Sequence, residues 1–165
     1  PPAPVASMAG GLNMDNLYAI GRTRDITVIG YGASELDDYL RRAAAKQDRV
    51  LVPEPTPEKG FYYRSDHFNL AKHGVPMLYT KAGIDSPTKG PGYGRAWLDD
   101  YVANRYHKPS DEYDREWDVS GSLQDLELYY DVGLAVANET DWPNWREGSE
   151  FRAIRDESRA TISAP

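Results

Sequence analysis

The sequence predicts an α/β fold in which a mostly parallel, twisted sheet is flanked by helices. Short apolar runs rich in β-branched residues, which are typical of buried strands, alternate along the chain with segments of helical periodicity. Glycine, proline and aspartate separate these segments, as expected for the turns that connect packed elements. Strands that alternate with helices in this way favour a parallel sheet.

The first half of the chain predicts three strands and one long helix. An apolar stretch bounded by glycines predicts a strand that reaches Met14, and "DITVIGYG" and "RVLVPEP" predict two further strands. The helix between those two begins after Ser34, which is a good N-cap, and carries an apolar stripe at helical spacing.

The middle of the chain predicts a helix, a strand and a long loop. The helix is capped by Ser65 or Asp66 and ends at Gly74, and a strand covers Pro76–Lys81. From Gly83 to Trp117 the chain is rich in glycine, proline, aspartate and tyrosine, and we expect a loop there. A loop of that length in a compact domain is usually functional or disordered, and the interleaved aromatic residues argue against disorder.

The last part of the chain predicts the longest helix and then a polar tail. We expect a single partial domain over residues 1–165, with an entry loop over 1–11 and a tail over 141–165 that contains a short helix with Phe151 and Ile154 docked. The apolar residues expected on the buried side of the long helix are Leu123, Leu126, Tyr130, Val132, Leu134 and Val136.

Composition excludes several classes of function. The net charge of −7 argues against a nucleic-acid partner, and no apolar run approaches the ~20 residues of a membrane span. The chain has no cysteine, so a metal site would use carboxylates and the three histidines, His67, His73 and His107. Such ligands suit zinc or harder cations.

Asp15 is the first candidate for chemistry because it directly follows a predicted strand. In open α/β sheets, sites form outside the carboxyl ends of the strands. A metal ligand at that position and an ordinary turn-forming aspartate are both consistent with the spacing.

The adjacent Asp66 and His67 allow two interpretations. They either cap and pack the start of a helix or hold a neighbouring ligand or water by hydrogen bonding. His73 precedes the terminating glycine, where a helix end favours a positive or dipolar group, and we interpret it as structural. Ser65 stands directly before this pair, but adjacent residues cannot form a serine hydrolase relay.

Tyr106 and His107 form the most specific pair in the chain. A neutral imidazole is a good zinc ligand, and a phenol beside it can donate a hydrogen bond to a developing oxyanion. The alternative is a packed loop histidine bonded to Asp111 or Asp114. The aromatic residues Tyr93, Trp97 and Tyr101 precede the pair and could line a specificity pocket or simply pack within the loop.

Three motifs, in order and at matching spacing, resemble one family of enzymes. "LNMDNL", "YYRSDHFNLAKHGVPMLY" and "NRYHKPSDEYD" are similar to the C-terminal half of the co-catalytic di-zinc exopeptidases, as is the tail "WPNWREGSEFRAIRD" in one bacterial branch. That family includes bacterial aminopeptidases, glutamate carboxypeptidases and glutaminyl cyclases. The resemblance extends from about residue 2 to residue 160 and implies the C-terminal portion of a zinc-exopeptidase domain.

The resemblance implies a role for each candidate residue. Asp15 would bind one zinc ion and His107 the other, while Tyr106 would polarise the scissile carbonyl. Ser65, Asp66 and the adjacent His67 would border the site as supporting or pocket groups, as would Tyr93, Trp97 and Tyr101. The implied reaction is removal of N-terminal residues from peptides, or cleavage of a small amide or ester, by metal-activated water.

The sequence also departs from the family pattern. Family members carry, before the "NMD" strand, a histidine ligand, a bridging aspartate and a Glu-Glu pair, and none of these is present here. We therefore expect a truncated domain that holds zinc weakly or not at all by itself. Two alternatives are an esterase with a site rebuilt from Ser65, Asp66, His67 and His107, and a non-catalytic interaction module.

Partial domains of this kind expose sheet edges and apolar faces. We accordingly expect self-association, or pairing with a missing N-terminal half. Localisation is not determined by the sequence, although members of the family it resembles are commonly secreted or periplasmic.

Overall fold

The computed structural model describes residues 4–15 and 18–160 and contains one four-stranded sheet. The strands are β1 (Gly11–Asn13), β2 (Asp25–Ile29), β3 (Val50–Pro53) and β4 (Met77–Ala82), in the order β1-β4-β2-β3. The helices are α1 (Leu36–Ala45), α2 (Phe68–Ala71), α3 (Tyr93–Asn104), α4 (Ser120–Asn138) and α5 (Arg152–Ala160). Three short 3-10 helices cover Val5–Ser7, Pro57–Lys59 and Phe61–Arg64.

The sheet is mixed but mostly parallel, which confirms the predicted fold class. β1 pairs with β4 and β2 with β3 in parallel, whereas β2 and β4 are antiparallel. Because Asn13 pairs with Tyr79, the segment that follows β1 lies beside the second half of β4. Residues after Asn13 and residues near the end of β4 therefore share one edge of the sheet.

Helices α1 and α4 cover one face of the sheet. Their apolar residues and those of β2 and β4 form a buried cluster in which each member exposes at most 5 % of its surface. The N-cap residue of α1 is Glu35 and not Ser34 as predicted, although the Ser34 hydroxyl accepts a hydrogen bond from the Leu36 amide at 3.3 Å.

The opposite face of the sheet is aromatic. Tyr62, Tyr79, Trp145 and Phe151 are buried there, and the indole nitrogen of Trp145 donates to the Gly74 carbonyl at 2.8 Å. The tail is thus docked on the sheet as expected, through Phe151. Arg155, and not Ile154, is the buried residue of α5.

The long loop expected from Gly83 to Trp117 is wrong, because helix α3 occupies Tyr93–Asn104. The glycines and prolines that suggested a loop are concentrated before Tyr93. The missed signal is the four-residue spacing of Tyr93, Trp97 and Tyr101, which places the three rings on one face of a helix.

The long helix α4 is confirmed, but most of its predicted buried face is wrong. Val132 is fully buried as expected, whereas Leu123, Leu126, Tyr130 and Leu134 are exposed. The side of α4 that faces the sheet instead carries Gln124, Asp125, Leu128, Tyr129 and Val132. Gln124 and Asp125 can occupy the buried side because they have polar partners elsewhere in the fold. Helical periodicity does not reveal those partners.

Among the described helices, none is both long and apolar enough to cross a membrane.

Candidate active site

Asp15 lies just beyond the carboxyl end of β1, where its carboxylate is held by two hydroxyl groups. The Ser65 hydroxyl donates to Asp15 Oδ2 at 3.0 Å, and the Tyr79 hydroxyl donates to the same oxygen at 3.1 Å. Ser65 is fixed in turn by the Asn13 side-chain amide, which donates to its oxygen at 2.8 Å. Asp15 is exposed, so the carboxylate is oriented but accessible to a ligand.

A buried layer of hydroxyl groups supports this arrangement from the α4 side. The Tyr129 hydroxyl donates to the Asn13 carbonyl at 3.4 Å and is hydrogen-bonded to the Thr80 hydroxyl. Burial raises the pKa of Tyr129 to about 12. Tyr129 therefore stays protonated at neutral pH and keeps its ability to donate.

His67 is buried beneath this group of residues, with 3 % of its surface exposed. The centre of its ring lies 4.5 Å from the centre of the Tyr62 ring and 4.9 Å from the centre of the Tyr79 ring. Neither nitrogen of the imidazole has a hydrogen-bond partner among the described residues. Burial lowers the pKa of His67 to about 4, and the nearby carboxylates of Asp15 and Asp66 only partly oppose that effect. His67 is therefore neutral at pH 7.

The buried neutral imidazole predicts a pH-dependent stability. The unfolded chain protonates this histidine below about pH 6.5, whereas the folded chain does so only near pH 4, so stability is lost as the pH falls through that window. We expect this one group to account for up to about 3 kcal/mol of the loss.

Urea unfolding between pH 4 and 7 measures that contribution. The His67→Phe variant should have a flatter stability profile than the wild type, and the exposed control His73→Phe should follow the wild type. Parallel profiles for the wild type and His67→Phe would show that His67 is not the group responsible.

His107 and Tyr106 lie in the turn that follows α3. Their rings stack with centroids 3.9 Å apart, and both side chains are exposed. His107 has a φ of 58°, which is an uncommon backbone conformation for a residue other than glycine. Such geometry often marks a side chain held in place for a function.

A row of aromatic rings connects this turn to the region of Asp15. Trp97 stacks on Tyr101 at 5.3 Å, Tyr101 contacts Tyr106 at 5.9 Å, and Tyr18 contacts Trp97 at 5.7 Å. Burial, and after it the neighbouring Tyr101, Tyr106 and Asp15, raise the pKa of Tyr18 to about 12. Asp15 and Tyr106 thus both lie close enough to Tyr18 to act on its charge.

Tyr18, which sequence reasoning missed, joins the aromatic row to the sheet, because its ring contacts Trp97 and it is buried together with Ile20 and Ala82. The predicted pocket residues Trp97 and Tyr101 belong to the aromatic row, and Tyr93 packs against the same small cluster.

Lys81 is a second residue that the sequence analysis overlooked. It lies on the same face of β4 as Tyr79, and its ammonium group lies 4.0 Å from the centre of the Phe61 ring. Burial lowers the pKa of Lys81, and the charges of Glu54 and Asp15 oppose that shift. The alternation of side chains along β4 could have identified Lys81 as a neighbour of Asp15.

Ser65 and His67 do not form a nucleophile–base pair. The Ser65 hydroxyl donates to Asp15, and the nitrogens of His67 are not bonded to it. Asp66 is exposed and lies beside this group. A serine relay needs the base at the nucleophile's hydroxyl, so the geometry does not favour the esterase alternative.

The donor atoms of the candidate site are of types that bind zinc, but there are too few of them for a complete site. Asp15 offers a carboxylate and His107 an imidazole, which are both common zinc ligands. Within residues 4–15 and 18–160 there is no group of three or more side chains that could hold a metal ion, and catalytic zinc normally has three protein ligands. The residues described here therefore do not form a complete zinc centre.

Comparison with known proteins gives one match. The family model described as Peptidase family M28 matches residues 2–130, which is most of the chain. No curated protein and no solved structure matches the chain. The length of the family match is sufficient to assign membership, and the chain belongs to peptidase family M28.

Proposed function

We propose that this chain contributes to a zinc-dependent aminopeptidase, with Asp15 and His107 each supplying a ligand to a metal ion. Membership in the peptidase family supports a hydrolase that acts on peptide bonds with zinc. The observation that carries the assignment of Asp15 is its orientation by the Ser65 and Tyr79 hydroxyls at the end of β1. Bound zinc would supply an activated water and a Lewis acid.

The remaining ligands and the general base come, in this proposal, from a polypeptide segment outside the present sequence. The chain offers one candidate ligand per metal ion, and the described residues contain no further group of ligands. Zinc held by one carboxylate or one imidazole is bound weakly. We therefore expect the chain by itself to lack di-zinc peptidase activity.

The residues of this chain have three roles in the proposed reaction. Asp15 is held in position by the hydroxyls of Ser65 and Tyr79, and the neutral, buried His67 packs against Tyr79. The exposed Tyr106 hydroxyl is available to donate a hydrogen bond to the carbonyl oxygen of the scissile bond.

Hydrolysis of an aminoacyl-nitroanilide tests the proposal. The purified chain with added zinc should show no turnover. The assembled enzyme, meaning the chain together with the amino-terminal half of an aminopeptidase of the family, should show turnover that a chelator abolishes. Tyr106→Phe should lower kcat of the assembled enzyme by about tenfold to a thousandfold with unchanged zinc content.

Two results would count against this function. Chelator-sensitive turnover by the chain alone would show that it carries its own complete site. An assembled, zinc-loaded enzyme that releases no amino-terminal residue would favour the non-catalytic interaction module.

A further inference from the structure

A cavity of about 570 Å³ lies beside the residues that follow β2 and β3. We name it the tail cavity, and three separate parts of the chain line it, within residues 30–33, 54–63 and 146–151. A volume of this size is typical of pockets that bind small ligands or single side chains of a larger ligand.

The tail cavity lies at the opposite edge of the sheet from Asp15. β1 and β4 are parallel, whereas β2 is antiparallel to β4 and parallel to β3. The carboxyl ends of β2 and β3 therefore point away from the edge at which β1 ends. No residue proposed to bind or orient a metal ion is among the described residues that line the cavity, so a ligand bound there would not require zinc.

Three carboxylates give the tail cavity a negative charge. Glu54, Glu147 and Glu150 line it, and among the described residues none of the three forms an ion pair. Arg146 also lines the cavity, but its guanidinium pairs with the Asp38 carboxylate at 2.6 Å. Opposite charge is favoured in a cleft lined by one sign of charge, so the ligand expected here is a cation.

Glu54 contributes more than a surface charge. Its Oε1 atom accepts a hydrogen bond from the Gly30 amide at 3.4 Å, which holds the carboxylate at the end of β2. Its Oε2 atom is buried and has no hydrogen-bond partner in the described part of the chain. The charge on this carboxylate is therefore screened only weakly by water and attracts a nearby cation more strongly than an exposed carboxylate would.

Aromatic rings form much of the remaining wall. Tyr62 and Phe151 are buried there with their ring centres 6.3 Å apart, while Tyr31 and Tyr63 expose 43 % and 52 % of their surface. The Tyr63 hydroxyl donates to the Glu150 carboxylate at 2.7 Å, which fixes a ring beside a negative charge. Tyrosine faces and carboxylates both attract organic cations.

Two glycines leave room for a ligand. Gly32 and Gly148 have φ values of 87° and 86°, and the position that a Cβ atom would take at each has no neighbouring atom within 4 Å. Both glycines are exposed and line the cavity. An apolar stem can lie along these two segments of backbone without displacing a side chain.

We propose that the tail cavity binds a guanidinium or ammonium group carried on an apolar stem, as in a basic side chain of a peptide or in a free alkyl cation. The rings contact the stem and the face of the cation, and Glu54 and Glu150 balance its charge. A planar guanidinium matches both a ring and a carboxylate, so we expect it to bind more tightly than an ammonium. A bare metal ion is not favoured, because the described residues contain no group of three or more side chains that could hold one.

Isothermal titration calorimetry of the purified chain with N-acetyl-arginine amide tests the proposal. We expect a dissociation constant of about 0.1–1 mM. N-acetyl-citrulline amide has nearly the same shape but a neutral urea in place of the guanidinium, and it should bind at least about tenfold more weakly.

Charge-neutralising variants locate the site. Glu54→Gln and Glu150→Gln should each weaken binding of the arginine ligand by about threefold to tenfold. Glu112→Gln is the matched control, because Glu112 is an exposed carboxylate beyond His107 and should not affect binding. In isotopically labelled wild-type chain, the ligand should shift the amide resonances of Gly32 and Gly148, which tests the location without any substitution.

Butylguanidinium separates the two sources of the cation, because it has the charge and the stem but no peptide backbone. Equal affinity for butylguanidinium and the arginine ligand would assign a free alkyl cation, and tighter binding of the arginine ligand would assign a peptide side chain. Equal affinity for the arginine and citrulline ligands, or no binding at about 10 mM, would overturn the proposal. Resonance shifts confined to residues outside the cavity would overturn it too.

Discussion

Replacing Arg49 by methionine should lower the free energy of unfolding by about 3–5 kcal/mol. Arg49 Nη1 lies 2.7 Å from Asp125 Oδ1, and both side chains are almost completely buried. Nη2 donates to the Asp25 carbonyl at 2.8 Å and to the Thr23 hydroxyl at 3.0 Å. Methionine fills similar space but leaves the Asp125 carboxylate buried without an opposite charge.

The loss arises from that unpaired carboxylate. Burial already raises the pKa of Asp125, and the neighbouring Arg49 guanidinium opposes the shift, so removing Arg49 leaves the burial effect unopposed. Arg49→Met combined with Asp125→Leu should therefore recover much of the lost stability.

Urea unfolding of the purified variants measures both effects. The exposed pair Arg24–Asp85 provides the control, because Arg24→Met should cost less than about 1 kcal/mol. A loss below 1 kcal/mol for Arg49→Met, or a double variant less stable than the single one, would show that the ion pair does not organise α4 against the sheet.

Replacing Asp15 by asparagine should raise the zinc dissociation constant of the assembled enzyme by at least about a hundredfold, because the variant loses a direct ligand and its charge. Ser65→Ala and Tyr79→Phe each remove one hydrogen bond to the Asp15 carboxylate and should cost about tenfold.

Competition with a zinc chelator measures these changes. Asp114→Asn is the matched control, since Asp114 is an exposed carboxylate in the turn beyond His107. If Asp15→Asn and Asp114→Asn retained equal affinity for zinc, Asp15 would not be a ligand.

The sequence was sufficient to predict the strands and the position of Asp15, because both depend on local signals. A short apolar run followed by a polar residue marks the end of a buried strand, and β1 ends two residues before Asp15. The strand after Gly74 was predicted for the same reason.

The missed features depend on contacts between residues distant in the chain. Asp125 is buried because Arg49 reaches it from the start of β3, and no periodicity within α4 records that contact. Tyr18 and Lys81 become neighbours of Asp15 only when α3 and β4 are in place. Helix α3 was not predicted because the turn residues that precede it suggested a loop.

Anomalous diffraction at the zinc edge, from crystals of the assembled enzyme grown with zinc, would locate the metal ions relative to this chain. We expect one zinc peak against the Asp15 carboxylate and another against the His107 imidazole. Zinc peaks at other side chains, with both Asp15 and His107 free of metal, would contradict it.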